Sequence, residues 1–186
     1  MRYRAAAVIV ALLVLSATAV FADTSSVALG SVSAIAGPIG GQTRTRVLIS
    51  FIPSLPEMQN AQVDFALLFF PAFQVTDTSG PVTIEAHRVT TDWDPAGVTW
   101  TQPWQQAGGD FDPGCLARGM TAAGDTHSIR LDVTSAVQAW QSGTSNFGLI
   151  LTRPSFEGDG FASEASNLTD ALRSAQVKVY YHNVQQ

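Results

Sequence analysis

The sequence has little cysteine, few basic residues and no apolar run long enough to span a membrane, and each shortage excludes a class of protein. Cys115 is the only cysteine, so no intrachain disulfide can form. Lys and Arg number 10 against 15 Asp and Glu, without a basic run that could follow phosphates, so we expect no nucleic-acid partner. The apolar run at residues 5–15 is shorter than the roughly 20 residues of a spanning helix.

That apolar run belongs to a predicted secretory signal peptide, residues 1–22. Arg2 and Arg4 precede the run, and Val20-Phe21-Ala22 places small residues where a signal peptidase reads. A retained membrane anchor is the alternative. Cleavage after Ala22 leaves residues 23–186, which is the usual size of one domain. We therefore expect a secreted or cell-surface protein with no membrane association after removal of the signal.

The remaining chain predicts an all-β fold, a single β-sandwich of antiparallel strands. Short apolar runs are separated by Pro, Gly, Asp and Ser clusters. Val177, Val179 and Tyr181 alternate with polar residues, as expected of a strand with one buried face. The predicted strands are residues 27–34, 46–51, 61–70, 82–89, 127–133, 147–152, 160–164 and 175–181.

Two segments do not fit the strand pattern. Residues 135–141 predict one short helix, with Thr134 as its N-cap and Val137 and Trp140 on one face. Residues 91–124 are rich in Gly, Pro, Asp and Gln and show little periodicity. A connection of that length is expected to be either functional or mobile.

An ordered series of short motifs runs through the chain after residue 22. The series is Arg46-Val47-Leu48-Ile49-Ser50-Phe51, Arg88-Val89-Thr90, the segment Trp93 to Trp100, Gly108-Gly109-Asp110-Phe111-Asp112, the segment Asp132 to Trp140, Asn146-Phe147-Gly148-Leu149, Phe161-Ala162-Ser163-Glu164 and the segment Val177 to Tyr181. In this order the motifs resemble the DNRLRE domain family, which includes carbohydrate-binding module family 96. The resemblance implies a secreted jelly-roll β-sandwich that binds acidic or neutral glycans.

The chain departs from that family's pattern at its N-terminal edge and at one aromatic position. Residues 37–41 are glycine-rich where many members have Asn-Tyr-Gly, and Phe147 stands where Tyr is common. These departures affect the expected ligand more than the expected fold.

The irregular segment carries the residues that we predict to contact a sugar. Trp93 and Trp104 border it, and Gln102 and Gln105 supply amide donors and acceptors beside them. Burial in the core is the alternative for both indoles. Trp100 and Trp140 are predicted to be core residues.

A second candidate site would hold a structural Ca²⁺ ion. Asp110 and Asp112 lie on a glycine-permitted turn, and Glu164 would complete the set if the late strands approach that turn. The alternative is that each Asp caps its own turn. The three histidines (His87, His127 and His182) are too scattered for a metal cluster to be inferred from spacing, and are expected to be ordinary strand or edge residues.

We predict a protein that is not an enzyme. Asp92 and Asp94 are two residues apart in a turn, which is ordinary turn chemistry, and nothing close to Cys115 in the sequence would activate its thiol. The predicted function is non-catalytic binding of an extracellular polysaccharide. The alternative is a structural or adhesive surface component that contacts a surface protein or itself, for which the apolar residues 65–73 offer an interface.

Overall fold

The computed structural model describes residues 23–51, 61–75 and 80–183, so the predicted signal peptide lies outside the described residues. The described part contains eight strands and two α-helices, together with a 3₁₀ turn at Ser155–Glu157. In chain order they are β1 (Asp23–Ile39), β2 (Gln42–Phe51), β3 (Ala61–Phe70), β4 (Val82–Arg88), β5 (Ala117–Thr121), β6 (Ile129–Asp132), α1 (Thr134–Gln141), β7 (Leu149–Thr152), α2 (Ala165–Leu172) and β8 (Gln176–Asn183). Neither helix in these ranges has the length and apolarity to cross a membrane.

The strands form two antiparallel sheets that share the long strand β1. The first half of β1 pairs with β8, in a sheet of order β1-β8-β3-β6 that we call sheet A. The second half pairs with β2, in a sheet of order β1-β2-β7-β4-β5 that we call sheet B. An irregularity between Leu29 and Ser31 marks the passage of β1 between the sheets, the usual device for turning such a corner. The predicted all-β sandwich is confirmed, and its jelly-roll connectivity stays a prediction.

The main core lies between the two sheets. Because successive residues of a strand point to opposite faces, Val47 and Ile49 of β2 enter this core while Leu48 points away from it. Phe70 of β3 and Leu131 of β6 meet them from sheet A and are fully buried. Each aliphatic side chain buried in this way contributes roughly 1.5–3 kcal/mol.

A second, smaller core lies on the outer face of sheet B. Leu48 of β2 and Ile150 of β7 pack there with Trp100 and Trp104, which belong to the segment after β4. Sheet B is therefore covered on both faces, which explains why all four residues of β7 are buried. We call residues 91–112 the cover segment, because they form the layer over this face.

Strand prediction succeeded in most places and failed in two. β3 has the predicted bounds, whereas β1 extends well beyond residues 27–34. The predicted strand at 160–164 is wrong, because only Phe161 pairs there, with Thr45, and α2 begins at Ala165. Strand β5 was not predicted, because Gly119 and Arg118 interrupt any apolar alternation in it.

The helices were also predicted only in part. Helix α1 is present, but Thr134 is its first residue and not its cap. The Thr134 hydroxyl instead accepts a hydrogen bond from Ala66 N at 2.9 Å and donates one to Asp132 Oδ1 at 2.6 Å. Helix α2 was missed, although Leu168 and Leu172 repeat at i and i+4 and are buried.

Candidate functional site

The carboxylate of Asp110 joins three residues of the cover segment to one another. Asp110 Oδ2 accepts hydrogen bonds from Gln105 N and Thr91 Oγ1, both at 2.8 Å, and Oδ1 accepts one from Gln106 N at 2.9 Å. Burial raises the pKa of Asp110, but these three hydrogen bonds outweigh it and leave the pKa below its ordinary value. The charged carboxylate therefore keeps the loop closed at neutral pH.

Arg46 of β2 anchors the cover segment to sheet B. Its guanidinium lies between the rings of Trp100, at 5.2 Å, and Phe111, at 5.1 Å. Nη1 donates to Gly108 O at 2.7 Å and Nη2 to Asp159 Oδ2 at 2.7 Å. A buried cation with this many partners holds the segment in one position.

The four residues predicted to contact a sugar lie in different environments. Trp104 is only 7% exposed and its Nε1 donates to Thr99 O at 2.8 Å, so its ring has no free face for a ligand and belongs to the second core. Trp93 is half-buried and its Nε1 donates to Phe147 O at 2.8 Å. Gln102 and Gln105 are exposed.

The other two tryptophans are packed as expected of core residues. Trp100 is buried against Gly37, where an added Cβ would lie 2.2 Å from Trp100 Cγ. Trp140 packs against the main core, with its ring 5.1 Å from that of Phe51. Of the four indoles, Trp93 is thus the one on the cover segment that keeps part of its surface exposed.

The carboxylates predicted to bind Ca²⁺ do not meet. Asp112 Oδ1 accepts from Gly114 N at 3.0 Å, and the buried Glu164 accepts from Ala162 N at 3.2 Å. For Asp110 and Asp112, these bonds match the alternative in which each Asp caps its own turn. Among the residues that the structure describes, these three form no group able to share an ion, so the predicted calcium site lacks its ligand set.

The structure instead brings together Glu85, His87 and Cys115. One potential ligand atom from each lies within 4.8 Å of the others. Glu85 and His87 are two residues apart on β4, so both point to the outer face of sheet B, where they are 8% and 5% exposed. Cys115 approaches from the segment before β5 and is exposed.

Sequence reasoning missed this cluster because only the fold brings its members together. The alternation Glu85-Ala86-His87 is a signal for two polar side chains on one strand face. No sequence pattern predicts that Cys115, which follows the cover segment, lies close to that face of β4.

His87 and Glu85, the two buried members of the cluster, each have hydrogen-bond partners outside it. His87 Nδ1 lies 3.1 Å from Asp112 O and 3.2 Å from Gly114 O, so this nitrogen carries the proton. Arg118 donates to Glu85 Oε1 through Nε, at 2.9 Å, and through Nη2. His87 Nε2 and Glu85 Oε2 thus face each other, 3.8 Å apart.

The Cys115 thiol is not an activated nucleophile. Burial raises its pKa first and the charge of Glu85 raises it further, while Arg118 only partly opposes them. Cys115 also lines a cavity of about 270 Å³. Its lining residues are Arg88, Asp112, Gly114, Cys115, Leu116, Ser135 and Ala136.

Comparison with known proteins gives no family assignment. No protein-family model matches the chain, and no curated protein matches it either. The resemblance to the DNRLRE domain family thus stays a prediction that rests on its motifs.

Proposed function

We propose that this chain is a secreted, non-catalytic module that binds an extracellular polysaccharide through the cover segment. The contacts are the ring of Trp93 and the amide side chains of Gln102 and Gln105. The observation that carries the proposal is the anchored indole: Trp93 is half-buried, and its N–H is fixed to Phe147 O at 2.8 Å.

An anchored indole suits a sugar for two physical reasons. The apolar face of a pyranose packs on an aromatic ring, while its edge hydroxyls need amide partners such as those of Gln102 and Gln105. A ring that is already fixed loses little conformational entropy on binding, so more of the contact energy appears as affinity. Asp110 and Arg46 extend this preorganisation to the segment that carries the ring.

Trp104 has an indirect part in the proposed site. It lies buried under the segment that bears Gln102 and Gln105, with its N–H bonded to Thr99 O. It thereby supports the position of these amides, and we exclude it from the sugar contacts.

The proposed module is a jelly roll that comprises residues 23–186. The spatial order of the strands supports this. It is β1-β8-β3-β6 in sheet A and β1-β2-β7-β4-β5 in sheet B. Among the described strands the chain changes sheets at five of the seven connections, and such alternation is typical of a double Greek key. Secretion is proposed from the signal-peptide pattern of residues 1–22.

Binding of the mature protein to a panel of soluble and insoluble polysaccharides, by affinity electrophoresis and pull-down, tests the proposal. Trp93→Ala should abolish retention on the glycan that the wild type binds, and Gln102→Ala should weaken it. Phe156→Ala is the matched control, because this ring is 82% exposed and lies outside the cover segment. Retention that survives Trp93→Ala, or no retention of the wild type on any glycan, would contradict the proposal.

A structural, self-associating protein is the second candidate, and the outer face of sheet A favours it. Phe65 is 38% exposed there and its ring lies 6.2 Å from that of Tyr180. Leu67 and Phe69 of the same strand are only half-buried. In contrast to the outer face of sheet B, this face has no covering segment among the described residues, and Arg130 and Lys178 each lie 5.8 Å from the Phe69 ring.

Solution mass separates the two candidates. Light scattering across a concentration series should give a monomer for the polysaccharide-binding module. Oligomers that Phe65→Gln dissociates would favour the structural candidate, since the change removes the most exposed ring of that face.

A further inference from the structure

The cluster of Glu85, His87 and Cys115 has the composition of a transition-metal site. It offers one carboxylate oxygen, one imidazole nitrogen and one sulfur, all within 4.8 Å of one another. Zn²⁺ accepts all three ligand types, whereas Ca²⁺ and Mg²⁺ prefer sets made only of oxygen. We propose that these three side chains bind one Zn²⁺-class divalent cation.

The histidine is prepared for coordination. Its Nδ1 is committed to the carbonyls of Asp112 and Gly114, which leaves the lone pair on Nε2. The residue is 5% exposed, and Nε2 lies 3.8 Å from Glu85 Oε2, beyond hydrogen-bond distance. A cation would satisfy this buried ring nitrogen, which lies within 4.8 Å of the carboxylate and the thiol. Metal-binding histidines commonly donate their other N–H to a carbonyl in this way.

The Glu85 carboxylate also has one atom bonded to a neighbour and one atom available to a cation. Arg118 holds Oε1 of Glu85, so Oε2 remains for the cation. A thiolate and a carboxylate together neutralise a dication, so the loaded cluster carries no net charge in its half-buried position. Arg118 stays on the far side of the carboxylate as an outer partner.

Cys115 supplies both selectivity and access. Its sulfur favours Zn²⁺ over the hard cations, and its exposed position gives the ion an entry path. With three protein ligands, the fourth tetrahedral position of Zn²⁺ would be taken by a water molecule. In the binding step the S–H bond breaks, the metal–sulfur bond forms and the proton passes to solvent.

Titration of the reduced, chelator-treated protein with Co²⁺ and Zn²⁺ tests the site without any functional assay. Co²⁺ should bind one ion per chain and give the near-ultraviolet thiolate-to-cobalt charge-transfer band. Zn²⁺ should displace it at one equivalent, and neither Ca²⁺ nor Mg²⁺ should compete. Absence of this band in the wild type would overturn the proposal.

Single substitutions of the three side chains test whether each one is a metal ligand. Cys115→Ser should remove the charge-transfer band and weaken Zn²⁺ binding by at least about ten-fold, and since Cys115 is exposed this variant should fold. Glu85→Gln and His87→Gln should weaken binding similarly, with circular dichroism to confirm folding. His182→Gln is the matched control, because this histidine also faces a carboxylate, Asp64, at 2.9 Å. Zn²⁺ binding by Cys115→Ser with wild-type affinity would equally overturn the proposal.

Discussion

Nη2 of Arg46 lies 2.7 Å from Oδ2 of Asp159, and this ion pair joins β2 to the turn after β7. The aspartate has a φ of 57°, a left-handed conformation that is uncommon outside glycine. Arg46 also donates through Nε to Asp159 O at 3.3 Å. One buried guanidinium therefore holds this turn on one side and the cover segment on the other.

Replacing Arg46 should be strongly destabilising. Arg46→Met retains much of the apolar stem but leaves Gly108 O and Asp159 without their donor, at an expected cost of about 2–4 kcal/mol in the free energy of unfolding. Chemical denaturation measures this. Arg173→Met is the control, since its ion pair with Asp170 is exposed and should be worth less than about 1 kcal/mol. Equal losses in both variants would refute the anchoring role.

Gly37 should tolerate no side chain. A Cβ there would lie 2.2 Å from Trp100 Cγ, so Gly37→Ala must displace the indole from the second core, at a cost of roughly 1–3 kcal/mol or more. Thermal and urea unfolding measure the loss. In the control Gly97→Ala, the nearest atom to the new Cβ is Asp94 Oδ2 at 3.7 Å, and the change should stay within about 1 kcal/mol.

Protonation of Asp110 should lower the free energy of unfolding at acid pH. Folding lowers the pKa of Asp110, so the stability from its charge is fully present above the unfolded pKa of about 3.9 and is lost as pH falls through the folded value. Asp110→Asn should therefore cost about 1–3 kcal/mol at pH 7, with the difference from wild type shrinking below about pH 4. Urea unfolding at a series of pH values measures this, and a constant difference down to pH 2 would contradict it.

The Cys115 thiol should react slowly at neutral pH despite its exposure. Partial desolvation of the thiol and the charge of Glu85 raise the thiol pKa, so little thiolate is present. Alkylation by iodoacetamide should be slower than that of a free cysteine at pH 7 and should rise through an alkaline midpoint. Glu85→Gln should lower that midpoint and speed alkylation, whereas Glu157→Gln should change the rate far less. A wild-type rate equal to that of free cysteine would show that the thiol is not suppressed.

The sequence predicted the elements of the sandwich better than it predicted the site. The alternation of Val177, Val179 and Tyr181 identified β8, because a half-buried strand imposes a period of two on its own residues. Trp93 and Trp104 both lie in the irregular segment, yet one is half-buried and the other is buried. Their burial depends on how the cover segment packs against sheet B, which local pattern does not encode.

The sequence by itself determined the all-β class, most strand positions and helix α1, since alternation and turn residues are properties of neighbouring amino acids. The tertiary structure decided that Asp110 closes a loop, that Arg46 is a buried anchor, and that Glu85 and His87 meet Cys115. These relationships join residues far apart in the chain. Their formation depends on the free energy of packing two sheets and a cover segment together, and no local segment carries that information.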